Sequence, residues 1–134
     1  RARTAVRYIE AIEWLQSNTR RIASWWQPED GKNGFDLLLT PTIAEPPPKL
    51  GEFVSTPDNP LGAARRSAPL MPFAVPFNVT GQPAISLPLY WNSQGLPIGI
   101  QLVAAYGRED VLFRVAAQLE QAQPWADKWP SVHA

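Results

Sequence analysis

Acyl transfer needs a nucleophile, a base beside it and backbone N–H donors aimed at the developing oxyanion. The serines are Ser17, Ser24, Ser55, Ser67, Ser86, Ser93 and Ser131. None lies in a Gly-x-Ser-x-Gly elbow, and no two glycines adjoin to open a backbone donor site. Lys32, Lys49 and Lys128 all sit in polar or proline-rich surroundings, so none reads as a desolvated base. No catalytic residue is expected within this chain. The one imidazole, His133, stands beside no cluster with ligand spacing, so no metal site is expected. Gly95 and Gly99 are not followed by Lys-Ser/Thr or by a helix, so they do not form a phosphate-binding loop. Glu29-Asp30 and Glu109-Asp110 are adjacent carboxylates at element ends, where solvated caps are expected rather than an acid/base pair. No cofactor is implied.

Recognition is the other chemistry on offer. In Pro76-Phe77-Asn78-Val79-Thr80-Gly81-Gln82-Pro83, Gly81 can take positive φ and Gln82 is pushed extended by Pro83. A rigid bend is expected there, feeding a buried strand. It either fixes the Asn78 amide toward another amide or lets Asn78 tie its own turn together. Trp25-Trp26 and Trp125…Trp129 suggest stacking, but Trp26 continues a helical stripe. Asn78-Val79-Thr80 fits a glycosylation pattern, and Pro46-Pro47-Pro48 an adaptor ligand; each is a short match that coincidence explains.

These residues must be held by a modest scaffold. The chain has 134 residues, suiting one domain, and at 45% hydrophobic it can build a core. Its 12 Lys+Arg balance 12 Asp+Glu, which gives no electrostatic reason to expect nucleic acid or an anionic membrane. No apolar run approaches the ~20 residues of a membrane span. The absence of cysteine rules out disulfides and fits a reducing cytosol, so a cytoplasmic location is expected. Twelve of the 15 prolines fall between Pro41 and Pro97.

Within a first segment 1–26, residues 4–26 read as one long amphipathic helix: Tyr8, Ile9, Ile12, Leu15, Ile22 and Trp26 keep the helical period, and Pro28 to Gly31 stop it. Residues 35–40 read as a buried strand ended by Pro41. Residues 41–76 form a proline-punctuated connection with room for a short helix at 61–67. Residues 84–104 give a strand pair around a turn at 91–96, and 109–121 a second helix. Two main helices and about three strands make a small sheet, since sheets typically have ~4–6 strands. Two helices cover one face of it, not both. The chain is therefore expected to complete a larger α/β core.

Asp36-Leu-Leu-Leu-Thr-Pro-Thr42, Phe77-Asn-Val-Thr-Gly-Gln-Pro-Ala-Ile-Ser-Leu-Pro88, Gly95-Leu-Pro-Ile-Gly-Ile-Gln-Leu-Val103 and Glu109…Leu112…Ala116…Glu120 together resemble the C-terminal part of the amidase signature family. The resemblance spans about residues 20–120. It implies an α/β fold with a mixed central sheet wrapped by helices. It also implies amide hydrolysis by a Ser, cis-Ser and Lys set, through an acyl-enzyme and without a cofactor. Those residues belong to an N-terminal catalytic portion that is absent here and would be this segment's partner, with a small-molecule amide as substrate. By the same resemblance, Thr40, Pro41, Asn78, Thr80 and Gly81 would lie near the substrate pocket. The isolated chain is expected to be inactive, and bare apolar surface to favour self-association into a homo-oligomer. The rival expectation is a non-catalytic binding or structural module of the same fold. A proline-rich interaction domain ranks below both.

Overall fold

The computed structural model describes residues 4–27 and 34–130. The helix stop at Pro28 to Gly31, the Glu29-Asp30 pair, Lys32, Ser131 and His133 lie outside the described residues. Among those described, helices α1 (Ala5–Ala23), α2 (Gly62–Ser67), α3 (Val75–Thr80) and α4 (Glu109–Ala122) accompany strands β1 (Leu37–Pro41), β2 (Ala84–Trp91) and β3 (Pro97–Ala104). The class is α/β.

Helix α1 opens where the Thr4 hydroxyl accepts from the Arg7 amide at 3.4 Å, and Arg20 and Arg21 in its last turn complement the helix dipole. One turn of 3-10 helix, Ser24–Trp26, then tightens the end and buries Trp26. No residue of α1 is itself buried, and Tyr8 and Trp14 are 68% and 66% exposed. Of the apolar stripe, Ile22 packs against a buried cluster, and Ile12 is half-buried.

The sheet has the order β1-β3-β2, all antiparallel, with β3 central. Residues 35–40 thus do not form a buried strand. β1 is an edge strand, and Leu39 is 64% exposed. The unbroken Leu run looked interior because Leu37 and Leu38 point to opposite faces and each finds its own cover. Pro41 belongs to the strand instead of ending it. The Thr42 amide donates to Gly99 O, so alternation turns Pro41 away from β3, where its missing N–H breaks no bond. Ala104 N donates to Pro83 O, which by the same alternation turns Pro88 to the outer edge of β2. The β2–β3 turn is tied by Asn92, whose Oδ1 accepts from the Gln94 and Leu96 amides at 3.0 and 2.9 Å. Gly95 supplies the φ of 76° there.

The two main helices do not share a face. Helix α4 brings Leu112, Val115 and Leu119 onto Leu37, Ile85, Leu87, Leu102 and Ala104. On the other face Ile22, Trp26 and Phe77 pack on Leu38 and Val103. Each face is covered at the Val103 end, where Val103 and Ala104 reach 0% exposure.

The expected rigid bend at 76–83 is instead the short helix α3. Pro76 sits in its first turn, where a preset φ helps and no N–H is needed. Gly81, at φ 74°, closes it as a left-handed cap with its amide on Phe77 O at 2.9 Å.

Candidate functional site

Antiparallel pairing puts partners on one face, so the register fixes a polar row on the sheet face opposite α4: Thr40 and Gln101, then Ser86 across from Gln101, with Gly99 next along β3. Gln101 interrupts the apolar run of β3 and is only 6% exposed. Its Nε2 donates to Thr40 Oγ1 at 3.1 Å and to Phe73 O at 2.9 Å. The amide therefore staples the connection ahead of α3 to the sheet. Thr42 Oγ1 and Ser86 Oγ lie 2.6 Å apart. They meet over Gly99, where an added Cβ would stand 2.6 Å from one oxygen and 2.7 Å from the other. Among the described residues the hydrogen-bond partner of Ser86 Oγ is the Thr42 hydroxyl, and no base reaches it.

The other residues expected near a pocket are distributed. Thr80 is buried; its hydroxyl approaches Phe77 O and donates to Gln82 Oε1 at 3.1 Å, while Gln82 Nε2 reaches Ala104 O at 3.4 Å. Thr80 also lines a groove of about 290 Å³ between α1 and α3, with Trp14, Leu15 and Val79. Gly81 follows directly, close to Tyr106. Asn78 is exposed on α3; its backbone N–H donates to Ala74 O, and its side-chain carboxamide makes no hydrogen bond among the described residues, so that side chain does not tie its own turn. Pro41 stands apart in a cleft of about 270 Å³ with Ile43, Pro46, Pro47 and Ile98. Gln82 and Gln101, not Asn78, are the side chains that organise this region. Their signal was a lone carboxamide in an apolar stretch, which burial obliges to find partners.

A charged cluster borders the Pro41 cleft. Arg66 on α2 donates from Nη1 to Glu45, a lining residue of the cleft, and from Nε and Nη2 to Glu52 Oε2 at 2.9 and 2.7 Å. The Lys49 amide donates to Glu52 Oε1 at 2.8 Å. That backbone bond, and then Arg66, hold the Glu52 carboxyl below its ordinary range; Glu45 and then Glu52 push Arg66 up. The guanidinium also stands 5.7 Å from the centroid of the Phe53 ring. Among the described residues no three acidic or imidazole side chains gather as a metal site would require.

The Amidase family model matches residues 1–113. The chain belongs to the amidase family. Amidase relatives carry the match further. The chain is 42% identical over 131 residues to the 6-aminohexanoate-cyclic-dimer hydrolase of Paenarthrobacter ureafaciens, covering 93% of this chain and 25% of that protein. It is 37% identical over 125 residues to the putative amidase AmiC of Mycobacterium leprae, again covering 93% and 25%. A solved structure of 6-aminohexanoate cyclic dimer hydrolase superposes with a TM-score of 0.79 at 39% identity, over 96% of this chain and 26% of that one. The chain thus spans about a quarter of the length of the amidases it matches. No helix among the described residues is long and apolar enough to cross a membrane.

Proposed function

We propose that this chain is the C-terminal part of an amidase that hydrolyses carbon–nitrogen amide bonds. The Ser, cis-Ser and Lys that carry the reaction lie in the remaining portion, and this segment completes the sheet and supplies one wall of the substrate pocket. The observation that carries the reading is sequence identity to an amide hydrolase along 93% of the segment but only 25% of that protein. Thr40, Pro41, Asn78, Thr80 and Gly81 belong to the proposed pocket wall. The relative's name points to a small amide of an aliphatic amino acid as substrate class. A cytoplasmic location and self-association through the exposed stripe of α1 complete the proposal.

The test is covalent trapping. A fluorophosphonate applied to the full-length protein should label a serine outside residues 1–134, and the segment alone should neither label nor turn over an aryl amide. Label on Ser86, or on any other serine of this segment, would overturn the reading.

A further inference from the structure

Strand β1 carries observations that do not fit an end strand. Leu37-Leu38-Leu39 is apolar without alternation, the pattern of a strand covered on both faces. Yet within this segment β1 has a neighbour only at β3. Leu39 marks the discrepancy. Its partner across the ladder, Leu102, is 4% exposed, while Leu39 on the same face is 64% exposed. The backbone is open as well. The Thr42 amide bonds Gly99 O, so alternation turns Leu38 and Thr40 toward β3 and points the N–H and C=O of Leu37 and Leu39 away from it. Among the described residues those outward groups have no backbone partner.

The opposite margin is built differently. Pro88 of β2 has no donor, the register shifts between Pro88 and Tyr90, and Leu89 O accepts from Gln123 Nε2 at 2.7 Å. The tail that follows Gln123 also sets Lys128 Nζ 5.6 Å from the centroid of the Trp91 ring, at the end of the same strand. Proline, a break in register and a covering segment are devices that close a sheet edge. Strand β1 has one of them, Pro41, at its last position. There it ends an added ladder after Leu39 and does not interrupt it.

We infer that β1 is an interior strand of the whole protein: the remaining portion lays a strand along its outer margin, bonded to Leu37 and Leu39 and covering Leu39, while β2 ends the sheet. The inference rests on the amidase reading and adds the seam at which the two portions join. The occupant follows from length. The segment matches an amide hydrolase over 93% of itself but 25% of that protein, so most of such a protein lies outside it. A strand from there is tethered to β1 by the chain itself, and tethering gives it an effective concentration that a second copy lacks. The same step accounts for the leucine run: it has the composition of an interior strand because it is one once the sheet is whole.

The test is residue-resolved amide hydrogen exchange on the unaltered full-length protein. The Leu37 and Leu39 amides should exchange at least about a hundredfold more slowly than the outward amides of Ala84 and Ser86, because ladder bonds in a core open rarely and bare margins exchange freely. Equally fast exchange at the two margins would overturn the inference. So would protection of Leu37 and Leu39 that vanishes when the protein is diluted to the monomer, since the added strand would then belong to another copy. Leu39→Lys reads the side chain. Lysine is at home on an open edge strand but not under cover, so the urea midpoint of the full-length protein should fall, and an unchanged midpoint would count against the added strand. If that variant does not fold, exchange in the unaltered protein still decides. None of these outcomes depends on which serine a fluorophosphonate labels, so the amidase reading stands or falls separately.

Discussion

Gly99 gives the sharpest quantitative test of how the sheet is built. Its Cα lies under the Thr42–Ser86 hydroxyl pair, and an alanine Cβ would come within 2.6 Å of Thr42 Oγ1, 2.7 Å of Ser86 Oγ and 3.1 Å of Thr42 Cβ. Contacts under 3.0 Å cannot persist, so the two hydroxyls must part. Overpacking of a fitted site costs typically ~1–3 kcal/mol, and losing the hydroxyl bond adds ~0.5–1.5 kcal/mol. Gly99→Ala should therefore destabilise by about 1.5–4.5 kcal/mol, read as a lower urea midpoint of the full-length protein. The control fixes the cause. With Thr42→Ala and Ser86→Ala already in place, both oxygens are gone and the nearest remaining obstacle is Thr42 Cβ at 3.1 Å. In that background Gly99→Ala should cost under ~1 kcal/mol, a non-additivity expected of touching residues. An equal cost in both backgrounds would show that the hydroxyl pair is not what demands glycine.

Other consequences follow from single side chains. Leu112→Ala, at a position on α4 that is only 4% exposed, should cost about 2–5 kcal/mol of stability by urea unfolding. Gln101→Leu removes the donor from Thr40 Oγ1 and Phe73 O, so it should cost about 1–3 kcal/mol and speed hydrogen exchange at 68–75. The Glu52 carboxyl is held below its ordinary range by the Lys49 amide and Arg66. Its contribution is therefore fully present above the unfolded value near ~4.3 and is lost as pH falls through the lower folded value. Limited pepsin cleavage at 43–53 should accordingly rise on acidification, and Glu52→Gln should flatten that rise.

Much of this architecture could be read from spacing. Helix α4 repeats Leu112, Val115, Ala116 and Leu119 on one side, and the hairpin is bracketed by Asn92 and Gly95, so local rules alone place them. The edge position of β1 was hidden because three leucines look alike whether they face a helix or open water. Leu39 shares a face with Leu37, and only what packs there separates them: Leu37 joins the cluster under α4 and Leu39 does not. Helix α3 was hidden by Pro76, since proline is a breaker in a helix interior but a good first-turn residue. At the site, Asn78 drew attention because its motif is distinctive, whereas the structure gives the organising bonds to Gln82 and Gln101. A sequence shows that a buried carboxamide needs partners but not which carbonyl, many residues away, will be there. The Arg66 cluster is of the same kind, its partners lying 14 and 21 positions away along the chain.

The outward-turned prolines at Pro41 and Pro88 bear on what happens when this segment stands without its neighbours. An unprotected ribbon margin is a seed for fibrils, because each newcomer restores the lost donors and presents another margin. Both margins here lack a donor at the same end, opposite Ile100 and Gly99. A stacking copy would therefore gain a full ladder only along the Leu37–Leu39 and Ala84–Ser86 stretches. The same two rings that shape the end of the ribbon thus act as a brake on runaway polymerisation.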